Sequence, residues 1–142
     1  VIKDLKVGAP VGIYMTCLES RCPELLEHRR SMLSGQAIES NLTALRAIFE
    51  GKVAESTEAS FGLTKLLIAE GASELSRELE ALIVSNLERI REMPSLEQSL
   101  DESPEEVEAL HASIKELFDL MKSQMVTVLN LSVPQEGAGD ND

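Results

Sequence analysis

Aromatic residues are scarce in this chain, and tryptophan is absent. Aromatic residues make up 3% of the 142 residues, whereas apolar residues as a group make up 43%. Sandwiches and barrels use aromatic and β-branched side chains that alternate along strands, and no segment here alternates with period two over a useful length. A core of Leu, Ile, Ala and Met is typical of packed helices. The composition therefore favours an all-helical domain.

A long apolar run and a cluster of basic residues are also missing. No unbroken apolar stretch approaches the roughly 20 residues of a membrane-spanning helix. The 13 Lys and Arg residues are scattered through a chain of formal net charge −12. Nucleic-acid phosphates and anionic membranes both attract concentrated positive charge. The sequence thus argues against nucleic acid as a partner and against direct membrane insertion.

Cysteine is nearly absent, because Cys17 and Cys22 are the only two. A C-x4-C pair is compatible with a disulfide in an exported protein and with two free thiols in a cytosolic one. Two sulfurs alone do not complete a structural zinc site, which takes four ligands. The spacing leaves the disulfide and the free thiols as alternatives.

Breaks in the pattern divide the chain into three parts. Residues 1–33 are predicted to be an irregular lead-in, because Gly8, Pro10 and Gly12 interrupt it together with the cysteine pair. Residues 34–131 are predicted to form a helical bundle, and residues 132–142 a flexible polar tail. The opening VIKDLKVGAPVG resembles the middle of a longer sequence, so we expect a fragment or a processed chain.

The first half of the bundle is predicted to hold one long and one short helix. The long helix starts at Ser34 as its N-cap and ends at Gly51, which suits the left-handed C-terminal position. Pro23 is predicted to open a single helical turn before it. The short helix lies in FGLTKLLIAEG and ends at Gly71.

Two more long helices complete the predicted bundle. One is capped by Ser73 and halted by Pro94, and the segment PSLEQSLDE is predicted to be a link with one helical turn. The other starts at SPEE, where Ser103 and Glu106 form a predicted capping box, and runs to about Asn130. Short loops between these helices predict an antiparallel helical bundle.

No catalytic residue and no metal ligand is predicted. Glu108 and His111 form E-x-x-H, but di-iron bundles use this motif twice with two further glutamates, and His28 does not repeat the spacing. H-E-x-x-H, a P-loop and G-x-S-x-G are absent from the sequence. We therefore expect no metal or other cofactor in this chain.

Asn41 is the polar residue that fits its helix least well. It lies among Ile38, Leu42, Leu45, Ile48 and Phe49, whose spacing predicts one buried apolar stripe. An unsatisfied buried amide costs about 1–3 kcal/mol. Two interpretations stay open: the amide bonds the backbone of the preceding segment, or it faces a wet cleft. Asn86 is predicted to be a second buried amide.

The spacing around Asn41 resembles a known family. The pattern E-x3-S-x2-S-x6-N-x9-G, preceded by IKDLKVGAPVG and followed by an acidic C-terminus, is similar to the C-terminal half of imelysin-like proteins, iron-regulated bacterial proteins once described as insulin-cleaving membrane proteases. The residues that carry the pattern are Glu27, Ser31, Ser34, Asn41 and Gly51.

The resemblance implies an exported, periplasmic or cell-surface protein built of two helical bundles. It implies that Ser31, Ser34 and Asn41 line the groove between the bundles, or else join the helix start to its loop. Export also favours a Cys17–Cys22 disulfide. The family's metal motif, G-x-H-x-x-E, belongs to the first bundle and is absent here. The tail departs as well, since Val133 and Pro134 stand where the family has glycine and phenylalanine.

Three functions are compatible with this resemblance. The first is a binding module in bacterial iron or haem acquisition, whose partner is the N-terminal half of an imelysin-like protein that holds iron or zinc. The second is one wall of a metal-dependent peptidase, an activity that the chain alone is not expected to have because it lacks the ligands and base of a hydrolytic metal. The third is a structural or adaptor bundle.

Overall fold

The computed structural model of the protein describes residues 2–13, 21–52 and 61–131, and within them it is helical without strands. A π-helical turn, Met121–Met125, joins the last two helices. The all-helical prediction is confirmed, and the last long helix reaches almost as far as expected. The α-helices are α1 Ser34–Glu50, α2 Leu63–Ala69, α3 Ser73–Glu92, α4 Leu96–Glu102, α5 Pro104–Leu120 and α6 Val126–Val128.

Part of the lead-in is helical. Ile2–Gly8 forms a π-helical segment, and Pro23–Leu25 and Arg29–Ser31 form two 3₁₀ turns, the first of which starts at the proline as predicted. The 2–8 segment packs against α5, and Val7 on this segment is fully buried. The chain before α1 therefore contributes to the same core as the bundle.

The core lies where α1 and α5 pack on either side of α3. Leucine and isoleucine at three- and four-residue spacing give each helix one apolar face. α4 and the 2–8 segment cover α5, while α2 covers α1 and α3. None of the helices in the described residues combines the length and apolarity needed to span a bilayer. Fully buried core side chains include Ile38, Leu42, Phe49, Leu79, Leu110, Ile114 and Leu117.

The end of α1 is built from local backbone bonds and one close approach. Gly51 adopts the predicted left-handed conformation at φ 70°, and the Lys52 N–H donates to the Ala47 carbonyl at 2.8 Å. Gly62 then passes so close that a Cβ atom there would lie 2.2 Å from the Phe49 carbonyl oxygen. Any side chain would collide with this backbone, so only glycine fits where α2 returns over the end of α1.

The predicted N-caps are mostly wrong. Ser34 and Ser73 are the first helical residues rather than caps. Ser103 occupies the cap position of α5, but its side chain makes no capping bond to the described residues, so the capping box is not formed. The hydroxyl that caps a helix belongs to Ser95, which accepts from the Gln98 N–H at 3.0 Å. It starts α4, which is longer than the single turn predicted.

Candidate functional site

The start of α1 is held by a carboxylate from a distant helix. The N–H of buried Ser34 donates to Glu97 Oε1 at 3.1 Å, and Ser34 Oγ accepts from the His28 N–H at 3.3 Å. The first N–H groups of a helix have no partner within the helix, and its positive end favours a carboxylate. Glu97 thus caps α1 across 63 residues of sequence.

Glu97 reaches this position from the first turn of α4. The residue is buried, and its second carboxylate oxygen, Oε2, is also buried but accepts no hydrogen bond from the part of the chain that the structure describes. Burying an acceptor without a donor costs free energy. The cap therefore retains one unused acceptor beside the start of α1.

The turn before α1 is fixed by short-range hydrogen bonds. Ser31 is exposed, and its Oγ donates to the His28 carbonyl at 3.1 Å. The Met32 N–H donates to the Arg29 carbonyl at 3.3 Å. Met32 is left-handed at φ 57°, a conformation that costs a side-chain-bearing residue about 1–2 kcal/mol. The strained residue therefore lies in the turn that leads into α1.

A hollow of about 220 Å³ lies between the start of α1 and the junction of α3 with α4. Met32, Gly35 and Leu96 are among the residues that line it. Glu39 and Arg91, which also line it, form an ion pair between Oε1 and Nε at 2.6 Å. The hollow thus has an apolar margin and a charged margin next to the Ser31–Ser34 turn.

Asn41 lies apart from this turn. It is half-buried rather than buried, and its side-chain amide makes no hydrogen bond with the described residues. The buried face of α1 instead runs through Ser34, Ile38, Leu42 and Phe49, which leaves Asn41 at its edge. Seven residues of α-helix also separate it from Ser34 by about 10 Å along the axis. The structure therefore brings Ser31 and Ser34 together, but not Asn41.

The fully buried amide is that of Asn86 on α3. Asn86 is 0% exposed, and its Nδ2 donates to the Leu82 carbonyl of the same helix at 2.9 Å. Its Oδ1 accepts no hydrogen bond from the described residues. The prediction of a buried amide is therefore confirmed for Asn86, and the burial predicted for Asn41 is wrong.

The E-x-x-H residues do not share a site. His111 is buried on α5, whereas Glu108 is exposed. Burial, reinforced by the positive charges of Lys3 and Lys115, lowers the pKa of His111, while Asp4 opposes the shift. In residues 2–13, 21–52 and 61–131, three or more His, Cys, Asp or Glu side chains nowhere converge as metal ligands.

Cys22 lies in the core, where its N–H donates to the Pro10 carbonyl at 2.9 Å and ties residues 9–13 to the first 3₁₀ turn. Cys17 lies outside the described residues, so its disulfide with Cys22 stays a prediction. Val133 and Pro134 also lie outside the described residues.

No family model, curated protein or solved structure matched the chain. The imelysin-like resemblance therefore stays a prediction.

Glu97 is the site residue that sequence reasoning missed. The run Ser95-x-x-Gln98 has the spacing of a capping box, a local signal that places Glu97 in the first turn of a helix. No local signal indicates that its carboxylate serves another helix.

Proposed function

We propose that this chain is a helical binding module like the C-terminal bundle of imelysin-like proteins, acting in iron or haem acquisition outside the cytoplasm. The start of α1 forms one wall of a groove, and a second helical bundle forms the other wall. The observation that carries the proposal is the Ser31–Ser34 turn, which Glu97 holds beside an open hollow of about 220 Å³.

Exposure and strain at the turn support this choice of surface. Met32 and Leu33 are 51% and 42% exposed, although both are large apolar side chains. Adjacent exposed apolar side chains favour contact with another protein. Backbone strain of the kind seen at Met32 persists at functional surfaces when neighbouring contacts hold it in place. Here the bonds of His28, Ser31 and Ser34 provide those contacts.

Metal binding is assigned to the partner bundle. In this chain the buried carboxylate of Glu97 is engaged at the start of α1, and His111 lies on α5 against the 2–8 segment. Neither arrangement fits a metal centre, which takes several converging ligands. This chain contributes the surface at the start of α1 as one wall of the groove. The iron or zinc would be held by the G-x-H-x-x-E motif of the other bundle.

Calorimetry with the first bundle of an imelysin-like protein, purified separately and carrying G-x-H-x-x-E, tests the proposal. We expect a complex in the micromolar range that Met32→Glu together with Leu33→Glu weakens at least tenfold. Ile48→Glu is the matched control, because Ile48 is 59% exposed near the other end of α1. Circular dichroism checks that each variant is folded. No complex, or equal weakening by Ile48→Glu, contradicts the proposal.

A further inference from the structure

One surface of this acidic protein carries unbalanced positive charge. Arg29 and Arg30 are adjacent, exposed and without a salt bridge to the described residues, in a chain of net charge −12. Leu25, Met32 and Leu33 are exposed in the same stretch of chain, residues 25–33, and together with the two arginines we call them the arginine turn. Most other cations are neutralised by a nearby carboxylate: Lys3, Lys6, Arg46, Lys52, Arg77, Arg91 and Lys115.

The nearby acidic residues do not cancel this charge. Glu27 is paired with Lys6, whose hydrogen bond lowers the pKa of Glu27. Among the residues that the structure describes, Glu24 is the other carboxylate along the hollow of about 450 Å³ that Arg29 and Arg30 line. In the described lining of this hollow, two arginines are therefore accompanied by one carboxylate that has no salt bridge to the described residues. An arginine pair of this kind favours carboxylates of a partner, which guanidinium binds in a planar, bidentate geometry.

The arginine turn also has an apolar component and a fixed shape. Leu25 is 37% exposed, and Met32 and Leu33 are more exposed still. Arginine beside large apolar side chains is the composition that protein interfaces favour. The bonds of the His28 carbonyl and the Glu97 cap hold the backbone. A surface that is already ordered loses less entropy on binding.

We propose that the arginine turn binds an acidic amphipathic helix of a partner protein. Arg29 and Arg30 contact its carboxylates, and Leu25, Met32 and Leu33 contact its apolar face. A helix is narrow enough to contact this turn alone. An anionic membrane would also contact the acidic surface around the turn, which would repel it. Charges separated by more than about 8–10 Å are largely screened at physiological salt, so local charge governs the contact. The inference rests on the proposed function in one respect: the second helical bundle is the partner that supplies this helix.

Fluorescence anisotropy with three labelled peptides tests the proposal. One is an 18-residue Leu/Glu peptide with an amphipathic helical pattern, the second has the same pattern in Leu and Lys, and the third is a scrambled Leu/Glu peptide. We expect the acidic amphipathic peptide to bind at least tenfold more tightly than the scrambled one. The net charge of the protein repels this peptide, and a local cationic surface offsets that repulsion.

The double variant Arg29→Glu/Arg30→Glu is expected to weaken that binding at least tenfold. Lys65→Glu/Arg89→Glu makes the same change of charge at two exposed cations that have no salt bridge with the described residues, and it is expected to leave binding within twofold. Both doubles change surface residues only, and circular dichroism verifies their fold.

Each of these results would overturn the inference: no binding of the acidic amphipathic peptide, equal binding of the scrambled peptide, equal weakening of the basic peptide in Arg29→Glu/Arg30→Glu, or equal loss in the two double variants. Tighter binding to vesicles of anionic phospholipid, lost in Arg29→Glu/Arg30→Glu, would assign the turn to a membrane and overturn it as well. The assay needs no imelysin-like bundle. If the peptide binds but the imelysin-like bundle forms no complex, the proposed function is refuted and the inference about the arginine turn is supported.

Discussion

The two ends of α1 are stabilised in opposite ways. At its end, Gly51 takes the left-handed conformation and Lys52 bonds a carbonyl five residues earlier, so the stop is local. At its start, the Ser34 N–H is bonded by Glu97 from a helix that lies 63 residues further along. The local end adjoins the covering α2, whereas the distant cap adjoins the strained turn and the hollow. The start of α1 is therefore the end whose hydrogen bonding depends on how other helices pack.

The largest effect is expected from the end of α1, where Gly62→Ala would place a Cβ atom 2.2 Å from the Phe49 carbonyl oxygen and 2.4 Å from the Gly51 nitrogen. The backbone has to move, so we expect at least about 2 kcal/mol of lost stability in urea unfolding. Gly71→Ala is the control, because it meets no atom within 4 Å but keeps φ +79°. It should cost about 1 kcal/mol, from strain alone. Equal losses in the two variants would contradict the close approach at Gly62.

At the start of α1, Glu97→Ala removes the distant cap. A hydrogen bond to a charged group contributes about 1.5–3 kcal/mol, and we expect a loss of stability in that range because the Ser34 N–H is left buried. Glu39→Ala is the control, because it removes a carboxylate that forms an ion pair with Arg91. Glu39 is half-buried and Arg91 is more exposed, so the loss should be no more than about 1 kcal/mol. The same urea unfolding measures both variants. A loss from Glu97→Ala no larger than that from Glu39→Ala would mean that the cap contributes little.

Local signals explain which features of the fold were predicted. Gly51 was predicted to be left-handed, Gly71 was predicted to end the short helix, and the apolar spacing predicted the helices. All three signals depend on neighbours along the chain. The cap at Ser34 was predicted wrongly, since its hydroxyl accepts from His28 and its N–H is bonded by Glu97. Such a bond depends on how helices pack, which the spacing of residues in one helix does not contain.

The buried amides show the same limit. The periodicity predicted that both Asn41 and Asn86 lie on apolar faces. The buried face of α1 is rotated slightly from the predicted stripe, so Asn41 lies at its edge and Ile48 is exposed. Of the candidate site, Ser31 and Ser34 were predicted from a family spacing, whereas Glu97 and the arginine turn emerged only from the packed structure. Arg29 and Arg30 are adjacent in sequence, yet their significance depends on which other cations are paired.

Asn86→Leu and Asn41→Leu form a matched pair that extends the comparison to buried and half-buried polar positions. Asn86→Leu removes a buried oxygen that has no donor among the described residues, and we expect about 1 kcal/mol of added stability. Asn41→Leu should stay within about 0.5 kcal/mol, because the position is half-buried and the amide has no described partner. Thermal unfolding of the two variants measures both effects. Destabilisation by Asn86→Leu would show that the bond from Nδ2 to the Leu82 carbonyl contributes more than the buried Oδ1 costs.

The smallest effect is expected from His111 as the pH falls. Its folded pKa lies below the ordinary value of 6.5, so the unfolded chain takes up the proton first. The stabilisation from neutral His111 is complete above pH 6.5 and is lost as the pH falls from there through the folded pKa. His111→Gln should flatten this part of the curve of unfolding free energy against pH. His28→Gln, at a half-exposed position, is the control, and a curve unchanged by His111→Gln would contradict the assignment.

Amide hydrogen exchange in the wild type and in Glu97→Ala, followed by NMR, tests most directly whether a distant carboxylate holds the start of α1. We predict that the Ser34 amide loses its protection in the variant, while the Gly51 and Lys52 amides at the other end of α1 keep theirs. Unchanged protection at Ser34, or equal loss at both ends of the helix, would contradict the account.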